Sequence, residues 1–161
     1  MDVVIRLADI KDSEEILKLI KELAEFENEL EKVELNLMDI KNDGFGKNPI
    51  FICFVAEYLD SIVGIALFYP RYSTWKGPTF HLEDLIVTKT MKGKGIGTKL
   101  LYAFVNYAKN EGVKRVEWEV LDWNKKAIDF YNKNGAIIFN DWKIVKMSSK
   151  SMINFLAKNK S

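Results

Sequence analysis

A chain of 161 residues, 48% of them apolar, is long enough to bury one core, and 24 basic against 23 acidic residues leave a formal charge of +1. That balance gives no electrostatic case for nucleic acid or an anionic membrane as partner. The longest apolar run, Ile50 to Ala56, is far short of a membrane span. The single cysteine, Cys53, lies inside that run and excludes a disulfide framework, so it reads as a core residue. Met1-Asp2-Val3-Val4-Ile5-Arg6 lacks the basic start and apolar stretch of a signal peptide, so the expected setting is cytoplasmic.

In chain order, Val3 to Leu7 alternates as a first strand. Asp12 with Glu15 forms a capping-box pattern, and Ile16, Leu19, Ile20 and Leu23 follow at helical spacing. A second helix is expected from Asn36 to about Asn42, stopped near Gly44. Ile50 to Tyr58 and Ile62 to Tyr69 are apolar runs joined by Leu59-Asp60-Ser61, a hairpin pattern. Pro70 to Pro78 reads as a loop and Thr79 to Thr88 as the next strand. Ile96, Leu100, Phe104, Val105 and Ala108 put an apolar stripe on a third helix closed by Gly112. Val113 to Leu121 is a strand, Asn124 to Asn132 a short helix, Trp142 to Met147 a last strand, and Ser149 to Ala157 a C-terminal helix. With no linker or repeat between these elements, residues 1–161 read as a single mixed α/β domain.

The most informative stretch is Lys92-Gly93-Lys94-Gly95-Ile96-Gly97-Thr98, an alternating-glycine turn between a strand and a helix. Unpaired N–H groups and the positive end of the helix dipole make such a turn a cradle for phosphate oxygens. A P-loop is excluded because no Gly-Lys-Ser/Thr follows the glycines. The dinucleotide fingerprint lacks its third glycine, Thr98 standing there, although Glu117 and Glu119 lie about where its acidic residue falls.

Among groups that can do chemistry, one His and one Cys exclude a zinc-type site, and no Gly-x-Ser-x-Gly elbow exists. The adjacent Glu83-Asp84 in an otherwise apolar strand points to a cleft, because burial of either charge is costly. Strict alternation would put His81, Glu83, Leu85 and Val87 on one face and Phe80, Leu82, Asp84 and Ile86 on the other. The plain alternative is a solvated charge pair. Tyr131 by itself reads as a helix aromatic packing its ring in the core, and Asn124 as an N-cap.

The glycine turn resembles the pyrophosphate loop of the GNAT superfamily of acyl-CoA-dependent N-acyltransferases, Arg/Gln-x-x-Gly-x-Gly/Ala, with Lys92 in place of Arg or Gln. Lysine keeps the charge but loses the bidentate geometry. Further segments resemble the diamine acetyltransferase branch, which includes spermidine/spermine acetyltransferase and its thialysine-acetylating relative. They are Glu22-Leu23-Ala24-Glu25-Phe26-Glu27, Asp43-Gly44-Phe45-Gly46-Lys47-Asn48-Pro49, Tyr72-Ser73-Thr74-Trp75-Lys76-Gly77, Leu82-Glu83-Asp84, Val120-Leu121-Asp122-Trp123-Asn124 and Phe130-Tyr131-Asn132-Lys133-Asn134-Gly135-Ala136.

The resemblance implies a GNAT fold: a mixed central sheet split between parallel strands four and five, with helices on both faces. It implies acetyl-CoA as cosubstrate, a small-molecule amine as acceptor, a homodimer, and no metal. Glu83 would take the amine proton, with His81 as an alternative base where relatives carry Tyr, and Tyr131 would protonate the leaving thiolate. Each step is worth roughly 10²–10⁴-fold. Leu85, Ile86 and Val87 would hold pantetheine by their backbone at a bulge. Asn124, Lys125, Lys126, Ala127 and Lys133 would add cofactor contacts beyond Lys92 to Thr98.

Glu27, Ser73, Trp75, Asp84, Trp118 and Glu119 match or lie near amine-pocket positions. Ser73 stands where polyamine enzymes show Asp, so the pattern implies a thialysine-type substrate with an α-carboxylate rather than spermidine. The acidic stretch before the late tryptophan is also short, Asn140-Asp141-Trp142. Polyamine transfer, peptide N-acetylation and a non-catalytic acyl-CoA-binding module remain open alternatives.

Overall fold

The computed structural model describes residues 2–160, and the end residues of the 1–161 span lie outside it. Two compact units divide the chain, Met1–Glu119 and Val120–Ser161.

The first unit carries a five-stranded sheet in the order β1-β2-β3-β4-β5: Val4–Leu7, Ile52–Tyr58, Ser61–Ser73, Gly77–Val87 and Val116–Glu117. The first three pairings are antiparallel and β4–β5 is parallel. Helices α1 (Ser13–Phe26) and α2 (Leu37–Phe45) cover one face. There Ile16, Leu19 and Ile40 pack on Cys53, Val55, Ile65, Leu67 and Ile86. Helix α3 (Ile96–Asn110) covers the other face, where Phe104 and Tyr107 meet Phe68, and Tyr107 also meets Phe54 and Phe80. Alternation along β2 and β3 therefore feeds two separate cores, which is why both strands read as continuous apolar runs.

The β2–β3 hairpin closes through Leu59 and Asp60, both left-handed at φ 49° and 59°, the two-residue turn whose twist matches paired strands. The expected Pro70–Pro78 loop is instead paired strand. The β3–β4 register runs from Gly64 opposite Val87 to Ser73 opposite Gly77, through both prolines. A tight turn holds that end: Ser73 Oγ accepts from the N–H groups of Trp75 and Lys76, and Gly77 has φ 80°. Proline here marks no break because the hairpin turn is set by its own short-range bonds.

Other local expectations need correction. The capping box is one turn earlier, Asp9 with Asp12 on a short 3-10 turn. Asp12 cannot cap α1 because its carboxylate is held by Arg6 at 2.7 and 2.9 Å and by Asp9 N–H at 2.8 Å. Gly44 does not stop α2 but lies within it, where any Cβ would collide with the Phe51 ring. The strand expected over Val113 to Leu121 shrinks to Val116–Glu117.

Alternation along β4 also fails midway. Leu67 pairs with Asp84 and the next residue, Phe68, with Leu82, so Glu83 is the extra residue of a β-bulge. Cross-strand partners share a face, so Phe80 and Leu82 turn toward α3 while Asp84 and Ile86 turn toward α1 and α2. The bulge expected at Leu85–Val87 thus sits two residues earlier.

The second unit holds α4 (Lys125–Lys133) and α5 (Ser149–Lys158). Trp142 to Met147 is not a strand: among the described residues no strand pairs with it, and an extended segment needs a partner for its backbone groups.

Candidate active site

Bulged Glu83 and the short β5 together shape the centre of the first unit. β5 pairs with β4 only at Phe80–Val116 and His81–Glu117, so the pairing ends just before the bulge. Leu85, Ile86 and Val87 therefore present one backbone edge of β4 that no neighbouring strand occupies among the described residues. A bulge bends its strand and ends local pairing, which is how an extended ligand gains a strand edge to lie against.

Glu83 is exposed, and its Oε2 accepts the Tyr69 hydroxyl at 2.9 Å with His81 Nε2 at 3.7 Å. Tyr69 and His81 stack at 5.2 Å. Burial and the bond to Glu83 push the Tyr69 phenol up to about 12, so it stays a donor. Arg71 Nη1 lies 3.5 Å from His81 Nδ1. A guanidinium only donates, so this contact assigns the proton of a neutral His81 to Nε2, toward Glu83. His81 is thus placed to orient Glu83.

Asp84 enters a pocket of about 410 Å³ lined by α1, the segment leading to α2, α2 itself and β4. Its walls include Ile20, Leu35, Ile40, Phe51 and Leu67, with Glu34, Asp43, Glu83 and Asp84 as carboxylates and Lys32 as the cation. Lys32 pairs with Glu29, which lies outside that lining, so the pocket keeps an acidic character. Burial pushes the Asp84 carboxyl up to about 7, and the charges of Glu83 and Glu27 push the same way. An ammonium group entering here would relieve that strain.

The glycine turn has the form expected of an anion cradle. Gly93 and Gly95 are left-handed at φ 77° and 78°, and a Cβ at either would meet nothing within 4 Å. Gly95 caps α3 with no side-chain bond, leaving the first helical N–H groups of Ile96, Gly97 and Thr98 directed outward. Lys92 and Lys94 flank it, Lys94 Nζ reaching the Met91 sulfur at 3.2 Å. The residues present fit a pyrophosphate.

The remaining candidates fall elsewhere. Ser73 and Trp75 lie at the β3–β4 hairpin end, Trp75 82% exposed. Trp118 and Glu119 follow β5, and the Glu119 charge is felt by Tyr69. Glu27 ends α1. In the second unit Asn124 caps α4 by accepting from Ala127 N–H at 3.2 Å, the role read for it from the sequence. Lys125, Lys126 and Ala127 form that first turn. Tyr131 and Lys133 lie near its end, where the Tyr131 carbonyl takes the N–H groups of Asn134 and Ala136. Sequence reasoning missed Lys32, Glu34, Leu35, Asp43 and Phe51 as pocket walls, and Tyr69 as the partner of Glu83. None stands in a spacing that signals chemistry, and only the hairpin register reveals Tyr69.

Comparison with known proteins is consistent with this geometry. A model described as the acetyltransferase (GNAT) family matches residues 14–136. The chain is 40% identical over 142 residues to thialysine N-epsilon-acetyltransferase of Bos taurus, covering 83% of this chain and 84% of that protein. It is 35% identical over 160 residues to spermidine/spermine N(1)-acetyltransferase-like protein 1 of Homo sapiens, covering 93% of this chain and 23% of that protein. An integron cassette protein from the mobile metagenome of V. cholerae superposes with a TM-score of 0.79 at 22% identity over 99% of both chains, a likeness of fold.

Proposed function

The chain belongs to the GNAT acetyltransferase family, and we propose that it transfers acetyl from acetyl-CoA to the primary amine of a small lysine-like molecule. The observation that carries this reading is the Glu83 bulge. It sets one carboxylate, Glu83, at the end of the parallel pairing and turns the next, Asp84, into the acidic pocket.

In this mechanism the acetyl-CoA pyrophosphate rests on Lys92 to Thr98 and its pantetheine runs along the Leu85–Val87 edge. Asp84 draws the substrate ammonium into the pocket. Glu83, held by Tyr69, takes a proton from the ammonium, directly or through water. The free amine attacks the thioester carbonyl, a carbon–nitrogen bond forms as the carbon–sulfur bond breaks, Tyr131 protonates the departing thiolate, and the second proton lost by the amide nitrogen passes to solvent, from which Tyr131 is reprotonated. Asn124 to Ala127 and Lys133 add cofactor contacts, while Glu27, Trp118 and Glu119 supply charge and aromatic surface for the amine. A second assignment, Asp84 as proton acceptor, draws support from its carboxyl lying near 7, the range suited to a base at neutral pH.

The thialysine preference rests on Ser73. Its oxygen closes the hairpin turn, and it brings no charge for a polycation. The test is kcat/KM for thialysine, lysine, putrescine and spermidine, in wild type and Ser73→Asp. Aspartate can accept the same turn N–H groups, so the variant should fold. Spermidine preferred by the wild type and unchanged by Ser73→Asp would overturn the substrate assignment, and no acetyl transfer to any amine would overturn the enzyme reading of this pocket.

We read the protein as a cytoplasmic homodimer of single-domain chains. Supporting the dimer, the second unit exposes Ile137, Phe139, Trp142, Ile144 and Val145, the last 92% exposed, an apolar surface that a second copy would cover.

A further inference from the structure

The loop that would hold the pyrophosphate does not rest on its glycines alone. Where β4 ends, Thr88 N–H donates to Val63 on β3 at 2.9 Å, and Met91 N–H to the Thr88 carbonyl at 2.9 Å. The same segment is gripped from α1. Glu22 accepts the Thr88 hydroxyl at 2.9 and 3.2 Å and the Lys89 N–H at 2.8 Å. One turn further along α1, the Phe26 ring lies under the Lys92 ammonium, 4.6 Å from nitrogen to centroid. Residues four apart on a helix share a face, so a single stripe of α1 touches both ends of Thr88–Lys92.

We propose that Glu22 and Phe26 are positioning residues for the acetyl-CoA pyrophosphate, Glu22 fixing the entry of the loop and Phe26 seating the Lys92 ammonium. This rests on the reading of Lys92 to Thr98 as the CoA loop. A lysine that replaces a planar, bidentate group must have its flexible stem ordered before it can serve as a fixed charge. An aromatic face does this without neutralising the charge, as a carboxylate would. Glu22 itself is anionic, yet its bonds go to the loop's entry, three to four residues before Lys92, where they orient backbone rather than meet phosphate. Acceptor geometry, not charge, is then what matters at Glu22.

The test is calorimetric CoA affinity, with kcat/KM for acetyl-CoA against S-acetylpantetheine, which lacks the pyrophosphate. Glu22→Ala should raise the CoA Kd about tenfold, the upper scale of one ordinary hydrogen bond. Glu22→Gln, which keeps an acceptor, should stay within about threefold of wild type. Phe26→Leu and Lys92→Met should each weaken CoA a few-fold, and the double variant should bind no worse than Lys92→Met alone. In all the weakened variants the preference for acetyl-CoA over S-acetylpantetheine should shrink, which general destabilisation would not produce. If Glu22→Ala does not fold, Thr88→Val removes one donor of the same contact and should weaken CoA a few-fold.

Wild-type CoA affinity in a folded Glu22→Ala protein, or in Thr88→Val where that variant is the one measured, would overturn the Glu22 assignment. So would equal losses with both acyl donors. Additive effects of Phe26→Leu and Lys92→Met would overturn the seat. A wild-type protein that binds no CoA would instead refute the loop's reading as a CoA site.

Discussion

Asp84→Asn should make the protein more stable at pH 8 while impairing its use of amine. The Asp84 carboxyl, ordinarily near 3.8, is pushed up to about 7 by burial first and then by Glu83 and Glu27. A raised folded-state value means that the fold favours the protonated acid. Its stabilising contribution is complete below about pH 4 and is lost as pH rises to about 7, above which the ionised group is a standing penalty. A shift of about three units corresponds to at most about 4 kcal/mol. Asp84 is half-buried and opens onto the pocket, so solvent screening leaves about 1–2 kcal/mol. Asparagine cannot ionise, so the variant's advantage should be near zero at about pH 4, grow between pH 4 and 7, and reach that value by pH 8, a rise in Tm of about 3–6 °C. Thermal melts of both proteins at intervals from pH 4 to 8 read this directly. Amine KM should rise in the same variant, and wild-type amine binding near pH 7 should release a proton, visible as buffer-dependent binding enthalpy. A variant destabilised equally at every pH would refute the assignment of Asp84 as a strained acid, and unchanged amine KM would refute its role in the pocket.

Gly95→Asp should raise the CoA Kd at least about a hundredfold by setting a carboxylate against the pyrophosphate, with Gly95→Ala as the control for strain at φ 78°; calorimetry decides, and equal losses in the two would assign the effect to backbone strain. Glu83→Gln and Tyr131→Phe should each lower kcat by roughly 10²–10⁴-fold with little change in CoA affinity. Stopped activity with lost CoA binding would assign them a structural role. Val145→Asp should shift a dimer to monomer in sedimentation, and a wild-type protein that sediments as an 18.6 kDa monomer at all concentrations would remove the dimer altogether.

The elements most legible in the sequence were those whose periodicity is self-sufficient. The stripe of Ile96, Leu100, Phe104 and Ala108 predicts α3, and Asn124 predicts the cap of α4, because each signal is local and resolved within one or two turns. What could not be read depends on partners outside the element's own pattern. Asp12 looks like a helix cap until Arg6 claims its carboxylate. Trp142 to Met147 has strand composition, yet composition cannot supply the neighbouring backbone that makes a strand.

The Glu83 bulge matters most for chemistry because it reverses an inference that alternation makes with confidence. Two adjacent carboxylates in a regular strand must face opposite ways, and counting from Phe80 sends Asp84 to the α3 side. A single unpaired residue in the β3–β4 register sends Asp84 to the α1 side instead, into the acidic pocket, while Glu83 stays against Tyr69. The motif Leu82-Glu83-Asp84 thus gives no sign of where its two carboxylates point. The bulge lies two residues beyond the last β4–β5 pair, so the carboxylates and the open strand edge adjoin one another. Deleting Glu83 would restore a regular ladder with Asp84 still opposite Leu67 on the α1 side, and would take away the carboxylate proposed as proton acceptor. Such a site is better tested by substitutions that keep the bulge.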